Sequence, residues 1–348
     1  YGPGTYTVEV FDDHNCVVAD IIIIEQPQPL NTTITTSDYN AYEIRCNGDS
    51  TGWITVSVSG GVVPYTKTLT NAQGDTVQTN YFPLNNFSNI SLNAGLYTLN
   101  IVDANGCVKQ QFITMTQPDP IQHNIVTTHV TCDGWSNGSI TDSVSGGVPG
   151  YTYLWNTSPN QTNATATGLP SGSYVVIVTD FIGCQATVTV NIDQPSELVD
   201  TMSVSNMLCN GVCIGSATIS SSGGSGAYTY LWDDLNNQTT ATATGLCAGS
   251  YNINVIDNNG CTLMDSAVIS EPSQLTVSLT GSNTSCNGVC DGIATANVSG
   301  GVSPYQYLWD DPFTQTTANA TGLCAGTYNL AITDNNGCVL NTSWCINE

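Results

Sequence analysis

The chain has 348 residues, and its 27 Asp and Glu against three Lys and Arg give a formal net charge of −24. Such an acidic chain repels nucleic acid and anionic membrane surfaces, so neither is an expected partner. The longest apolar run, at 21–24, is far too short to span a bilayer, so direct membrane insertion is not expected either.

The first element is the end of a repeat. Gly4-Thr-Tyr6 matches Gly326-Thr-Tyr328 near the other end of the chain, so residues 1–26 are predicted to be the C-terminal third of a truncated repeat. One alternative is that this hairpin is donated to a neighbouring subunit. However, none of the later units lacks a hairpin of its own.

Four complete repeats follow. A Pro preceded by Gln or Glu recurs at Pro27, Pro118, Pro195 and Pro272, at spacings of 91, 77 and 77 residues. These positions predict repeat 1 (27–117), repeat 2 (118–194), repeat 3 (195–271) and repeat 4 (272–348). The linkers at each Pro are short, so the repeats are expected to form an elongated rod.

The same motifs occur in the same order in each repeat. Each has a C-[ND]-G-x3-G segment, a strand ending in S-G-G, an aromatic strand ending in Trp, a G-x-Y strand, and a turn ending in Gly-Cys before the last strand. Apolar and polar residues alternate, as in half-buried strands, and the turns are rich in Asn and Gly. The pattern predicts an all-β fold of tandem immunoglobulin-like antiparallel β-sandwiches, with a tyrosine corner at G-x-Y and the Trp in the core.

Repeat 1 departs from this order. Leu69 stands where the other repeats have Trp, and we expect Trp53 to fill its core instead. The repeat is also longer, with most of the added residues between Tyr65 and Tyr97.

The chain contains 14 cysteines at recurring positions, and no short paired spacing of the kind that holds zinc. We therefore predict disulfides formed in an oxidising compartment. Repeats 1 and 2 each have two cysteines, so counting within repeats predicts the pairs Cys46–Cys107, Cys132–Cys184, Cys209–Cys261 and Cys286–Cys338. The extra cysteines of repeats 3 and 4 predict the pairs Cys213–Cys247 and Cys290–Cys324.

Two cysteines are left over. Cys16 matches the Gly-Cys position and is expected to pair with the absent front of its own repeat. Cys345 has no counterpart and is expected to be either a free thiol or a cross-link to another chain or segment. Strict immunoglobulin topology offers a rival view of the first four pairs. It places the end of the first strand and the start of the last strand at opposite poles, which would strain those bonds, and a Cα separation above about 7 Å between Cys46 and Cys107 would exclude them.

Catalysis is not expected. No Ser-His-Asp or Cys-His arrangement recurs, and the adjacent carboxylates at Asp233-Asp234 and Asp310-Asp311 point to opposite strand faces rather than across a cleft. No cofactor is predicted. Calcium is an alternative at the turns that contain Asp257, Asn259, Asp334 and Asn336, although this sequence also forms plain tight turns.

Taken together, these motifs resemble the SprB-type repeats of Bacteroidetes gliding-motility adhesins, in four copies that cover nearly the whole chain. The resemblance implies a large cell-surface protein exported by the type IX secretion system. By the same analogy, O-glycans are expected at Asp-Ser/Thr motifs, whose acceptors here are Thr76, Ser143, Thr201 and Ser266, with Ser50 a weaker case.

The sequence thus predicts an extracellular structural or adhesive segment of a long adhesin or filament, rigidified by disulfides within its repeats. Expected partners are further repeats or copies of the same protein, with surface polysaccharide or a solid substratum as alternatives. The alternative function is the non-catalytic stalk, or the polysaccharide-binding repeats, of a secreted hydrolase. More 77-residue units in the flanking sequence would favour the first hypothesis.

Overall fold

A computed structural model describes residues 1–82, 86–88 and 91–348 of the chain. These residues form 27 strands and no helix, and every strand pairing is antiparallel. Across the described ranges, no helical segment has the length and apolarity that a membrane crossing requires. The predicted all-β class is confirmed.

The chain divides into two compact units. The first comprises Tyr1–Thr128 and Gly138–Ile192, and the second comprises His129–Asn137 and Asp193–Glu348.

The first unit holds the initial hairpin and the strands of repeats 1 and 2. The hairpin is β1 (Gly4–Phe11) and β2 (Val17–Ile24). Repeat 1 has β3 (Asn31–Thr36), β4 (Ile54–Ser59), β5 (Tyr65–Thr70), β6 (Thr76–Phe82), β7 (Asn86–Ser88), β8 (Gly95–Val102) and β9 (Val108–Met115). Repeat 2 has β10 (Gln122–Thr128), β11 (Gly138–Ser145), β12 (Thr152–Trp155), β13 (Thr165–Leu169), β14 (Gly172–Thr179) and β15 (Gln185–Ile192).

The second unit holds repeats 3 and 4. Repeat 3 has β16 (Ser196–Ser205), β17 (Gly215–Gly224), β18 (Thr229–Trp232), β19 (Thr242–Leu246), β20 (Gly249–Ile256) and β21 (Thr262–Ile269). Repeat 4 has β22 (Thr276–Ser282), β23 (Gly292–Ser299), β24 (Gln306–Trp309), β25 (Asn319–Leu323), β26 (Gly326–Thr333) and β27 (Val339–Ile346).

Repeats 2, 3 and 4 share one topology. In repeat 3, one sheet has the order β16-β17-β19 and the other has the order β18-β20-β21. In immunoglobulin lettering these are sheets A-B-E and C-F-G, which is the sandwich without strand D. We use these letters for the strands of every repeat. Each sheet draws all its strands from a single repeat.

Repeat 1 adds one strand to this plan. Its second sheet has the order β6-β5-β8-β9, because β5 continues through a turn into β6, which pairs along its outer edge. The residues between Tyr65 and Tyr97 that lengthen this repeat supply that strand. The strand covers an edge that is open in the other repeats.

The core of each sandwich lies between its two sheets. Trp155, Trp232 and Trp309 are fully buried, and the indole Nε1 of each donates to a backbone carbonyl 2.8–3.0 Å away. This matches the predicted core role, because burying an indole requires a partner for its N–H. In repeat 1 the fully buried Leu69 takes this place, and the prediction for Trp53 is wrong, since 37% of its surface is exposed.

The G-x-Y tyrosines form the predicted corners. In repeat 3 the hydroxyl of Tyr251 donates to the carbonyl of Cys247, and in repeat 4 that of Tyr328 donates to Cys324. The tyrosine that precedes strand C makes a different hydrogen bond. The hydroxyl of Tyr305 donates to the carbonyl of Gly300 and so holds the S-G-G loop.

Candidate functional site

The tip of each F–G hairpin is built by one aspartate. In repeat 4, Oδ1 of Asp334 accepts hydrogen bonds from the backbone N–H groups of Asn336 and Cys338, both at 2.9 Å. Its Oδ2 accepts from Val302 in the S-G-G loop, also at 2.9 Å. Burial alone would raise the pKa of this carboxyl, but the backbone hydrogen bonds outweigh burial and lower it. The aspartate thus fixes the position of the cysteine at the hairpin tip.

Both glycines of S-G-G are required by this arrangement. Gly300 and Gly301 have φ of 73° and 59°, in the left-handed region that disfavours other residues. A Cβ on Gly300 would also overlap the carbonyl of Gln274, and one on Gly301 would lie 2.8 Å from Oδ2 of Asp334. The loop therefore lies too close to Gln274 and to the hairpin aspartate to accept a side chain at either glycine.

The two recurring cysteines of a repeat lie at opposite ends of its sandwich. The N–H of Ile44, in the segment after strand A, donates to the carbonyl of Thr116, which directly follows strand G. The end of strand A is therefore beside the end of strand G. Strand G has eight residues, so at about 3.3 Å per residue its start, at Cys107, is roughly 25 Å away.

This separation corrects four predicted disulfides. The structure does not form Cys46–Cys107, Cys132–Cys184, Cys209–Cys261 or Cys286–Cys338. Instead, the cysteine after strand A bonds to the hairpin cysteine of the following repeat, in the pairs Cys46–Cys184, Cys132–Cys261 and Cys209–Cys338. Their Cα–Cα separations of 5.6, 5.6 and 5.7 Å are ordinary for disulfides.

Hydrogen bonds surround each of these disulfides, and we call the whole arrangement a junction site. At the Cys209–Cys338 junction, the Asn336 amide donates to the carbonyl of Leu208 at 2.9 Å. The Asn210 amide donates to the carbonyl of Pro272 at 3.1 Å. These contacts explain why C-[ND]-G and D-x-N-G-C recur together.

The glutamate or glutamine before each linker proline also belongs to the junction site. Oε2 of Glu271 accepts from the N–H of Gly211 at 2.8 Å, and Oε1 of Gln117 accepts from Gly48 at 2.9 Å. Gln194 accepts from Gly134 in the same way, at 3.3 Å. The [EQ]-P motif therefore holds the cysteine loop against the linker.

The Cys46–Cys184 junction uses a different donor toward the hairpin. Ile182 replaces the hairpin asparagine, and Nε of Arg45 donates to its carbonyl at 3.0 Å. The Asn47 amide donates to the carbonyl of Pro118 at 3.0 Å, as the Asn210 amide donates to Pro272 at the Cys209–Cys338 junction. Sequence reasoning did not identify these junction residues as a site, although the repeated polar residues flanking each proline were a usable signal.

Four cysteines are free and exposed, namely Cys16, Cys107, Cys286 and Cys345. Cys107 and Cys286 were predicted to be bonded within their repeats, and both predictions are wrong. Three counterparts of Cys16, namely Cys184, Cys261 and Cys338, bond to the preceding repeat, so the expected pairing of Cys16 with its own repeat departs from the pattern seen here.

The second class of disulfide stays within one repeat. Cys213–Cys247 and Cys290–Cys324 are both present, as the counting argument expects, and each joins the A–B loop to the segment before strand F. Repeats 1 and 2 have no cysteine at these positions.

The adjacent carboxylates have structural partners. Asp310 accepts from the backbone and side-chain amides of Asn329, and the buried Asp311 accepts from Phe313 and Gln315 in the next turn. Hydrogen bonds to Asp311 lower its pKa although burial opposes this. In repeat 2, Asn156 and Thr157 accept the equivalent backbone hydrogen bonds, so the position requires an acceptor rather than a pair of acids.

The calcium candidates are engaged in the hairpin tips and junction sites. The carboxylate of Asp257 accepts from Ser225, Asn259 and Cys261, and the Asn259 amide donates to Thr131 at 3.0 Å. Asp334 and Asn336 have the same roles. These contacts favour the tight-turn interpretation. Within the described part of the chain, no three His, Cys, Asp or Glu side chains are grouped to hold a metal.

The O-glycan acceptors Thr76, Ser143, Thr201, Ser266 and Ser50 are all exposed. Their neighbouring aspartates differ, because Asp75 is exposed whereas Asp142 is fully buried. A transferase that reads the aspartate on the folded repeat would therefore reach Thr76 more readily than Ser143. Glycosylation at these positions stays a prediction.

The recurring segments match a known family model. The SprB repeat model matches residues 39–74, 124–160, 201–237 and 277–314. The chain carries four SprB repeats. The matched segments contain the cysteine loop, strand B and strand C of each SprB repeat, and the hairpin half of the junction site lies outside them. No curated protein matches the sequence.

Several solved structures of tandem-domain proteins resemble the chain weakly. One contains the N-terminal eight Ig domains of Down syndrome cell adhesion molecule, at 11% identity and a TM-score of 0.27, covering 99% of this chain and 58% of that one. Another contains Sidekick-1 immunoglobulin domains 1–5, at 10% identity and a TM-score of 0.30, with 99% and 95% covered. A third is a tetra-tandem repeat in the extending region of a large adhesion protein, at 14% identity and a TM-score of 0.29, with 91% and 99% covered.

Proposed function

We propose that this chain is a tension-bearing structural segment of a secreted cell-surface adhesin or filament. The observation that carries the proposal is the bonding of each cysteine loop to the hairpin of the next SprB repeat. A disulfide between neighbours passes force from one repeat to the next without loading the residues that it bypasses. The role is structural rather than catalytic, and the disulfides suit an oxidising extracellular site.

The covalent path under tension is short. When both ends are pulled, the tension runs through residues 1–46 and passes through the Cys46–Cys184 bond to 184–209. It then passes through the Cys209–Cys338 bond to 338–348. Residues 47–183 and 210–337 are bypassed. The strands of repeats 2 and 4 that carry the core Trp residues therefore never bear the full load.

The two disulfides internal to repeats have another role. Cys213–Cys247 and Cys290–Cys324 both lie inside the segment that Cys209–Cys338 bypasses. They carry no tension while that junction bond is intact. We infer that they stabilise individual sandwiches, while the junction bonds transmit force.

Single-molecule pulling on the terminally tethered chain tests this proposal. The loaded path of about 80 residues gives a maximum extension of about 280 Å in the oxidised chain, against about 1,200 Å after full reduction. Bonds confined within repeats would instead load about 130 residues and extend to about 450 Å. An oxidised extension near 450 Å or longer would contradict the proposal.

A further inference from the structure

The residue after the loop cysteine in C-[ND]-G is matched to the residue before the proline that ends its repeat. Nε2 of Gln194 donates to Oδ1 of Asp133, and the Asn287 amide donates to Glu348. The matched pairs are Asn47 with Gln117, Asp133 with Gln194, Asn210 with Glu271, and Asn287 with Glu348. Each pair contains at least one amide, so no pair places two carboxylates side by side, where they would repel each other.

In repeat 3 the loop carries an Asn-Gly step that is held by the linker. The Asn210 amide donates to the carbonyl of Pro272 at 3.1 Å. The backbone N–H of Gly211 donates to Oε2 of Glu271 at 2.8 Å. The side-chain amide of an asparagine and the backbone nitrogen of the following residue are the two groups that react in deamidation, and a glycine without Cβ leaves their approach open. The folded loop therefore keeps both reacting groups occupied.

Repeat 1 carries the same Asn-Gly step with a neutral linker residue. The Asn47 amide donates to Pro118 at 3.0 Å, and the N–H of Gly48 donates to Oε1 of Gln117 at 2.9 Å. The side chain of Gln117 thus has the same acceptor role as Glu271, but it also carries an N–H donor that a glutamate lacks.

Repeat 2 shows how a carboxylate is accommodated at this loop position. Oε1 of Gln194 accepts from the N–H of Gly134 at 3.3 Å, while its Nε2 donates to Oδ1 of Asp133. One glutamine therefore holds the glycine and neutralises the need of the aspartate for a donor. A glutamate in its place could accept from the glycine but could not donate to the aspartate.

We propose that Asn210 is a deamidation site, and that its modification loosens the Cys209 loop of repeat 3. The new carboxylate faces the carbonyl of Pro272 and the carboxylate of Glu271, and neither group can donate a hydrogen bond to it. The same reaction at Asn47 is tolerated, because Gln117 supplies the donor that Gln194 supplies in repeat 2. This inference goes beyond the proposed function, since it concerns the loop whether or not the junction bears tension.

The reaction requires only water. The backbone nitrogen of Gly211 attacks Cγ of Asn210 and forms a five-membered succinimide ring. The bond from Cγ to Nδ2 breaks, and the amide nitrogen leaves as ammonia with the proton from the Gly211 N–H. Water then opens the ring to aspartate or isoaspartate, so one water is consumed and one ammonia is released. Because Pro272 and Glu271 hold the reacting groups, the ring closes only when the loop opens.

Hydrogen exchange in aspartate variants tests the consequence of the modification. Asn210→Asp should lower the protection factor of the Gly211 N–H roughly five- to tenfold, through one lost hydrogen bond and one repulsive contact. Asn47→Asp is the matched control and should leave the protection of Gly48 unchanged. Adding Glu271→Gln to Asn210→Asp recreates the arrangement of repeat 2 and should restore protection at Gly211. Equal losses in the two single variants, or no recovery in the double variant, would overturn the inference.

Peptide mapping after incubation in a mildly alkaline buffer tests the modification itself. Glu271→Ala frees the attacking nitrogen, so deamidation at Asn210 should be several-fold faster than in the unmodified sequence. Glu271→Gln retains an acceptor and should keep the original rate. An equal rate in all three chains, or no deamidation in Glu271→Ala, would show that Asn210 is not such a site. If Asn210→Asp unfolds repeat 3, seen as lost protection throughout β17, these rates decide the inference alone.

Discussion

The interiors of the repeats differ, whereas the junctions between them are nearly the same. The position filled by the buried Asp142 in repeat 2 is Ile219 in repeat 3 and Ala296 in repeat 4. At the junctions, a cysteine pair and a Gln or Glu before the linker recur three times. The recurring cysteines therefore bind the neighbouring repeat, while this core position tolerates different side chains.

The cores vary more than the junctions because the two regions have different geometric requirements. A core needs only matched volume and partnered polar groups, so several side chains can fill one position. A junction disulfide needs two cysteines at one separation, and the supporting hydrogen bonds need particular donors and acceptors. Substitutions in the core should therefore act on one repeat, and substitutions at a junction should act on the connection.

The largest expected effect is in the core of repeat 2. Nδ1 of His123 lies 2.7 Å from Oδ2 of Asp142, and the Asp142 side chain is fully buried. Asp142→Ala leaves the histidine without its partner and should destabilise repeat 2 by about 3–5 kcal/mol. Hydrogen exchange of β10 and β11 amides measures this loss. The double variant His123→Val with Asp142→Ala, which copies repeat 4, should recover most of the protection, and failure to recover would contradict the pairing.

Removing an internal disulfide should have the next largest effect. Cys213→Ser with Cys247→Ser opens a loop that spans 34 residues and should destabilise repeat 3 by about 3–4 kcal/mol in the chain-entropy model. Hydrogen exchange in β17 and β20 should accelerate accordingly. Repeat 2 has no such pair and serves as the internal control, so faster exchange there would show that the bond does not act locally.

Removing a junction disulfide should affect the cores much less. In Cys209→Ser with Cys338→Ser, both sandwiches retain their cores, and the linker at Pro272 still keeps the two halves close together. We expect unchanged hydrogen exchange in β17 and β23. Hydrogen exchange should be faster at the backbone N–H of Gly211, which donates to Glu271. Destabilisation of repeat 3 as large as in the internal-disulfide variant would show that the junction bond also stabilises the core of the repeat.

The smallest effect is a pH dependence confined to repeat 3. Burial and then the charge of Asp265 raise the pKa of Asp200 above its ordinary value of 3.8. The folded repeat thus binds a proton more readily than the unfolded chain, so stability falls as pH rises from about 3.8 through the raised pKa. Burial would raise the pKa of Asp257, but hydrogen bonds outweigh burial and lower it. Asp257 therefore adds stability as pH rises, and this contribution is complete above about pH 3.8, so it does not alter the trend from Asp200.

Asp200→Asn tests this directly. The variant should remove the decline in β16 protection between about pH 4 and neutrality. Repeat 4 has Val277 at this position and provides a comparison without a titrating group. An unchanged pH profile in the variant would show that Asp200 is not the group responsible.

Much of the fold could be predicted from the sequence. Alternation and turn residues identified the strands, the buried Trp232 and the Tyr251 corner, because these depend on local pattern. Trp53 was mispredicted because Leu69, with the other aliphatic side chains of the repeat 1 core, takes the place of the indole, and Trp53 stays at the surface. The partners of the recurring cysteines were mispredicted because copies in phase look the same whether Cys46 bonds within its repeat or to the next. Only the parallel placement of strands A and G, a long-range feature, separates these alternatives.

The bonding of the recurring cysteines between successive repeats can be measured by proteolysis of the oxidised, thiol-blocked chain, followed by mass spectrometry of the linked peptides. We expect peptides that join Cys46 to Cys184, Cys132 to Cys261 and Cys209 to Cys338. Peptides that join Cys46 to Cys107 and Cys132 to Cys184 would show that the bonds lie within repeats instead.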